Sequence, residues 1–386
     1  MHDFLNELGV ELPIVQAGMG GGISGPDLAA AVSEAGGLGT IGMASPSRMS
    51  AQLVAARRRT QRPIAINLLL PFARPGHAGP AAEADVVVTF WGRPRRWSAK
   101  PWIHQAGSVE EALAARAAGA DAVILQGVEA GGHVRGAMPA LELLAAARAA
   151  LPDPCPLLVA GGIAGPDDVV RVLDAGAVAA VCGTRFLMSE ESGAAPGYKR
   201  RLVEGSETVL TELFGVGWPG AHRVLPNAAT RRWLGRDPRG PRVVRLANRL
   251  ARPVMARGPE SVQGWLLGHQ AVAIPFFAPV PAVGDVPDRV LETAPLYAGE
   301  TVSRIQDIRP AGSIVRDLAS AMSERNAPSS PNVLPTPPGN SESPVKRCGV
   351  PSGSSYRSAI EPGVWPTRWI TWSRASPNST VSPSST

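Results

Sequence analysis

Cysteine is scarce in this chain: three among 386 residues, at Cys155, Cys182 and Cys348. Their scattered placement and odd number give neither a disulfide framework nor a zinc-ligand spacing. Also missing is any run approaching the roughly 20 apolar residues that a membrane-spanning helix needs. The opening Met1-His2-Asp3-Phe4 lacks the basic and then apolar plan of a secretory signal. These absences predict a cytoplasmic protein in a reducing compartment, with no membrane partner. Charge excludes little: 38 Lys plus Arg against 32 Asp plus Glu give a formal +6. The clusters Arg57-Arg58-Arg59 and Arg93 to Arg96 have no nucleic-acid motif beside them. They read as solvated helix ends and loops, and no nucleic-acid partner is expected.

What the chain does have is alanine and glycine, with only 5% aromatic residues, a composition suited to closely packed elements joined by short turns. Three stretches repeat one grammar. Ala35-Gly36-Gly37 leads into Leu38 to Gly42, Ala118-Gly119-Ala120 into Asp121 to Gly127, and Ala175-Gly176-Ala177 into Val178 to Gly183. Each reads as a helix stopped by a C′ glycine and followed by a strand apolar enough to be buried on both faces. Helix starts are marked by Ser24 with Pro26, by Ser108 with Glu111 as a capping box, and by Pro166 before Asp167 and Asp168. Further strands are predicted at Pro13 to Ala17, Ile64 to Leu69, Val86 to Phe90, Trp102 to Gln105 and Leu157 to Ala160.

Eight strands alternating with helices predict a parallel (β/α)₈ TIM barrel over residues 1–189, an open doubly wound sheet being the alternative. Two crossovers are thin, Pro71 to Ala84 and Gly92 to Pro101. Either the helices are truncated there or a strand is misplaced. After Thr184 the alternation stops. Residues 190–300 read as a smaller substrate or lid domain, with helices at Tyr198 to Glu204, Val243 to Arg257 and Ser261 to His269. Pro295 to Ala298 are placed to return a wall to the site. Residues 301–325 supply a terminal helix packing on the barrel. From Pro328 to residue 386, 25 of 59 residues are Ser or Pro, too polar to repay ordering, so a disordered tail is expected.

Barrel chemistry sits at the C-terminal strand ends, and phosphates commonly bind after strands seven and eight. Those ends are Ala160-Gly161-Gly162-Ile163 and Cys182-Gly183-Thr184-Arg185, where missing side chains let backbone N–H groups approach an anion. The first strand ends Ala17-Gly18-Met19, a glycine-rich edge able to lie against a planar ring. Asn67 and Gln126 put amides, donor and acceptor together, at two further strand ends. They suit a flavin's pyrimidine edge or simply satisfy buried backbone. His104 and Gln105 are candidate ring-side contacts. The sharpest element is Gln126 to His133, with Glu129 orienting the turn and His133 held after Gly131 and Gly132. An imidazole there can take a proton from a carbon beside an electron-withdrawing group.

In these motifs, together with Glu191-Ser192 and Tyr198-Lys199, the chain resembles the nitronate monooxygenase family over most of its length to about residue 323. The resemblance implies noncovalent FMN in contact with Ala17, Gly18, Met19, Asn67, Gln126, Gly131, Gly161, Gly162, Gly183 and Thr184. It implies His133 as the catalytic base, no metal, and oxidation of alkyl nitronates or nitroalkanes by O₂ to carbonyl compounds and nitrite. A flavin reductase of the enoyl-thioester type, which uses NAD(P)H, shares the barrel and a Gly-Gly-His turn and is the alternative. A flavin-binding barrel without activity is a third reading. The oligomeric state is open, a homodimer among the options.

Overall fold

In the computed structural model, which describes residues 3–326 except 153, 219 and 256–259, the apolar runs become short parallel strands. They are β1 (Ile14–Gln16), β2 (Gly39–Ile41), β3 (Ile64–Leu69), β4 (Val86–Phe90), β5 (Trp102–Ala106), β6 (Ala122–Gln126), β8 (Leu157–Ala160) and β9 (Ala179–Cys182). β7 (Gly132–His133) lies outside this sheet. The order β1-β9-β8-β6-β5-β4-β3-β2 is that of a ring, and a parallel bridge between Val15 and Leu38 brings its ends together. There Gln16 N donates to Leu38 O and Leu38 N donates to Ile14 O, each at 2.9 Å. The chain is thus a TIM barrel, and the open sheet is excluded.

The strands are apolar throughout because both faces are covered. Along β3, Ile64, Ile66 and Leu68 pack with Met49 and Leu53 of the helix Pro46–Arg57. The alternate residue Ala65 belongs to the interior cluster with Val15, Val88, Ile124 and Leu158. That is the period-two signature of a strand buried twice. Phe4 and Leu5, from the short helix Asp3–Glu7, join the same interior cluster.

One thin crossover keeps a truncated helix and the other has none, while the strands stand where the sequence puts them. Between β3 and β4 there is one 3₁₀ turn, Pro75–His77, and a six-residue helix, Ala78–Glu83. Between β4 and β5 there is no helix. All three stop glycines take positive φ: Gly36 +94°, Gly119 +86° and Gly176 +98°. One cap is corrected. Gly25, not Ser24, occupies the N-cap of the helix Pro26–Glu34. Ser24 Oγ instead accepts from Met19 N at 3.1 Å and from Gln16 Nε2 at 2.8 Å, bracing the glycine-rich turn after β1.

Beyond β9 come a four-residue helix, Thr184–Leu187, and the helix Pro196–Val203. Two strands follow that the sequence does not announce, β10 (Val209–Thr211) and β11 (His222–Val224). β11 pairs antiparallel with both β10 and β7, His222 standing opposite His133. The helices Arg242–Met255 and Glu260–His269 lie close to their expected bounds. The helix Ala311–Asn326 places Ala311, Ile314, Val315 and Leu318 in one cluster with Leu28, Val32, Val169 and Val172. It fills the gap between the first and last barrel helices, where Thr184–Leu187 is too short to cover the sheet. The tail expected over 328–386 lies outside the described residues.

Candidate active site

At the C-terminal ends of the strands is a cavity of about 520 Å³, within the range of small-molecule and cofactor sites. Ala17, Gly18, Met19, Asn67, Gln126, Gly131, His133, Gly161, Gly162, Gly183 and Thr184 all line it. Every strand end singled out from the sequence therefore meets at one place, and Gln105 joins them. His104 does not. Its Nδ1 lies 2.8 Å from Thr89 Oγ1, which also accepts from Trp102 Nε1 at 2.7 Å. His104 is thus a buried member of a polar chain and does not make the ring-side contact expected of it. Neighbouring residues on a strand face opposite sides, so only one of His104 and Gln105 can reach the mouth.

His133 is fixed by several devices. Gly132 adopts φ +72°, and Gly131 lies so near the return segment that a Cβ there would sit 2.5 Å from Ala298 C and Gly299 N. The Gln126 amide spans the loop, Nε2 donating to His133 O and Oε1 accepting from Arg135 N, both at 3.0 Å. Satisfying this backbone is its visible task. Both oxygens of the Glu129 carboxylate accept from Ala140 N at 3.1 Å, which ties the loop to the start of the helix Ala140–Ala150.

His133 is half-buried on the cavity wall, and its Nε2, screened from solvent, has no hydrogen-bond partner. Burial first, and the neighbouring His222 second, hold its pKa well below the ordinary histidine value. The ring is therefore neutral at pH 7, the state a base requires. Its neighbours are aromatic. Trp218 stacks on it at 3.6 Å and 8°, His222 lies at 5.3 Å, Tyr297 at 5.5 Å, and Trp91 stands edge-on at 6.3 Å. Trp91 is held at φ +61°, the one non-glycine residue with positive φ among the described residues. That is a strained position for a bulky side chain. Gly220 makes room for it, since a Cβ there would come within 2.6 Å of the Trp91 ring.

Trp218, His222 and Tyr297 carry no motif, because they sit far along the chain, His222 on the three-residue strand β11 and the other two outside regular elements. The signal available was indirect: tryptophan in a glycine-rich stretch, Gly215 to Gly220, of a chain poor in aromatic residues. Tyr297 does fall within the wall expected from 295 to 298, and it bridges to Val224 of β11.

On the remaining wall, Asn67 is buried with Oδ1 unpartnered. Gly18 is glycine for its sake, because a Cβ would overlap the Asn67 side chain. The turn after β8 carries Gly161 at φ +113° and Gly162 at φ +75°, and a Cβ added at Gly162 would meet nothing within 4 Å. Asp168 shapes this turn, accepting from Ala164 N at 2.8 Å and Gly165 N at 3.2 Å. Burial alone would raise its pKa, but Arg304 and these backbone donors outweigh that and lower it. Arg304 also donates to Gly162 O at 3.2 Å, and Thr184 Oγ1 accepts from Gly299 N at 2.9 Å. The 299–304 segment thus holds both glycine turns. Cys182 is no nucleophile, since burial, with Asp168 nearby, pushes its thiol up to about 12.

The sequence matches the nitronate monooxygenase family model over residues 3–88 and 99–320. It is 31% identical to the nitronate monooxygenase of Paraburkholderia phytofirmans, over 61% of this chain and 78% of that one. It is 32% identical to the nitronate monooxygenase of Pseudomonas aeruginosa, over 58% and 79% respectively. Among solved structures, FabK of Thermotoga maritima superimposes with TM-score 0.65 at 28% identity, over 83% of this chain and 96% of that one. The nitroalkane oxidase of Streptomyces ansochromogenes gives 0.64 at 30% identity, over 83% and 98%. With its barrel, its converging glycine turns and its Gly-Gly-His loop, the chain belongs to the nitronate monooxygenase family.

Proposed function

We propose that the cavity holds FMN and that the enzyme oxidises alkyl nitronates and nitroalkanes with O₂ to carbonyl compounds and nitrite in the cytoplasm. The observation that carries this reading is a pair of buried, unpartnered polar atoms on residues lining one cavity, Asn67 Oδ1 and His133 Nε2. Buried polar atoms normally find partners, so two orphans facing one space fit a ligand that satisfies them. The donor set suits FMN. Gly161, Gly162, Gly183 and Thr184 leave backbone open to a phosphate, and Asn67 offers an acceptor to a ring N–H. Ala17 to Met19 provide a strand edge of small side chains beside it. Bound FMN supplies the acceptor for the substrate's electrons and returns them to O₂.

The chain's own residues handle the proton. For a nitroalkane, neutral His133 removes the α-proton while the C–H electrons pass into the nitro group. A preformed nitronate needs no such step. Trp218 stacks on the imidazole and Tyr297 lies 5.5 Å from it, so the ring is held beside the substrate space. The test is nitrite release from propyl nitronate and 1-nitropropane by the purified yellow protein, with a His133→Asn variant. That variant should lose at least about 100-fold on the nitroalkane, a general-base contribution. Unchanged nitroalkane turnover would remove His133 from this role, and colourless protein that refuses FMN would remove the cofactor.

The similarity to FabK favours a second reading, an NAD(P)H-dependent enoyl-thioester reductase on the same site. Anaerobic bleaching of the flavin by NADH, without nitrite formation from nitronate, would select it.

A further inference from the structure

General-base histidines ordinarily have a carboxylate to steady the imidazolium that forms when they take a proton. His133 has none among the groups that act on it in the described residues. The titratable and charged groups around it are few. β11 presents His222, opposite it in the sheet, and Arg223, which is paired with Glu300 at 2.8 Å. The return segment presents Tyr297. Arg135, two residues on, is bound to Glu111 and lies over the Trp91 ring at 4.9 Å. None of these offers an anion to the ring. What covers it is the face of Trp218, nearly parallel and 3.6 Å away.

That indole is not loosely placed. Trp218 N donates to Gly215 O at 3.0 Å, and Gly220 N donates to Trp218 O at 2.9 Å. Phe72 and Trp91 stand edge-on to the indole at 5.3 and 5.4 Å. A tryptophan face is the most attractive aromatic surface for a cation, and the attraction grows when water is excluded.

We infer that Trp218 is a positioning and charge-stabilising residue for His133, its π face serving where other sites use a carboxylate. This rests on His133 being the base. When the imidazole nitrogen takes the α-proton, the positive charge spreads over a ring already stacked on the indole, and the nitronate keeps the electron pair. Trp218 thus stabilises the product of the proton transfer more than the neutral ring that precedes it, and so lowers the barrier.

Two measurements on the FMN-loaded protein test this in Trp218→Leu and Trp218→Phe. The first is the ratio of kcat/KM for 1-nitropropane to that for propyl nitronate. Only the nitroalkane needs the base, so general damage to the pocket cancels. The ratio should fall about threefold to tenfold in Trp218→Leu and recover most of that loss in Trp218→Phe. The second is NMR titration of the His133 ring nitrogens. Loss of the π face should lower the pKa by about half to one unit in Trp218→Leu. If the indole merely shields the ring, its removal admits water and raises the pKa, since burial is the main depressing cause. A raised or unchanged pKa in Trp218→Leu, or an unchanged ratio, overturns the inference. The titration reads the indole whether or not nitrite is made, so failure of the functional reading shows separately.

Discussion

His104 and His222 are buried rings, and in both burial is the main cause of a pKa lowered to about 4. In an unfolded chain each would titrate near 6.5. Between those values the unfolded state binds more protons than the folded one, so stability falls as pH falls through the window. Working the linkage from pH 7 to pH 5 gives a loss of about 1.8 kcal/mol for each ring, or about 3.6 kcal/mol together. His133 pushes in the same direction. The depressed carboxyls, Asp168 and Glu292, lose their contribution only below the ordinary carboxylate range, so they add little at pH 5. The assay is urea unfolding of the FMN-loaded protein at pH 7.0 and 5.0, followed by tryptophan fluorescence. A His104→Gln variant should recover about half of the two-ring loss, because the amide cannot protonate and can still hydrogen-bond with Thr89 Oγ1 in either direction. Equal stability at the two pH values, or the same pH slope in the variant, would refute the reasoning.

Three further outcomes follow from close approaches at the site. Gly131→Ala drives a Cβ into the backbone at Ala298 and Gly299. A displacement of about 1 Å there should cost about 100-fold in kcat/KM for nitronate, read by nitrite release. Gly18→Ala overlaps Asn67 and should weaken FMN binding at least about tenfold in an equilibrium flavin titration, about 1.4 kcal/mol. Asp168→Ala removes the acceptor for Ala164 N, Gly165 N, Arg171 and Arg304. Thermal or chemical unfolding should register a loss of about 2 kcal/mol, and FMN release should quicken as the Gly162 turn loosens.

The barrel was legible because strands buried on both faces must be apolar throughout, and stop glycines must take positive φ. Ala122 to Gln126 after Gly119 needs no tertiary information to be recognised. The site's glycine turns and His133 were legible for a related reason, since a short loop at a known strand end has few places to go. The aromatic ring around His133 was not. Trp218 and His222 reach it only through a hairpin whose strands are three residues each, too short for any periodicity to declare. Nor did the sequence show that β7 is recruited into that sheet by β11. The role of Ala311–Asn326 was half visible. Its helical pattern was plain, but only the packing of Ile314 and Leu318 with Val32 and Val172 gives it the eighth outer position.

That late helix has a bearing on how such a protein can diversify. Both ends of the excursion between Met188 and Ala311 are stitched into the cylinder, one by β9 and the other by the helix that seals its wall. The entropic penalty for closing a loop rises only slowly with its length. Insertions or rewritten stretches between those anchors therefore leave the scaffold's thermodynamics nearly untouched while changing what hangs over the mouth. The architecture separates the cylinder from a stretch whose Trp218, Pro281 and Tyr297 line the cavity.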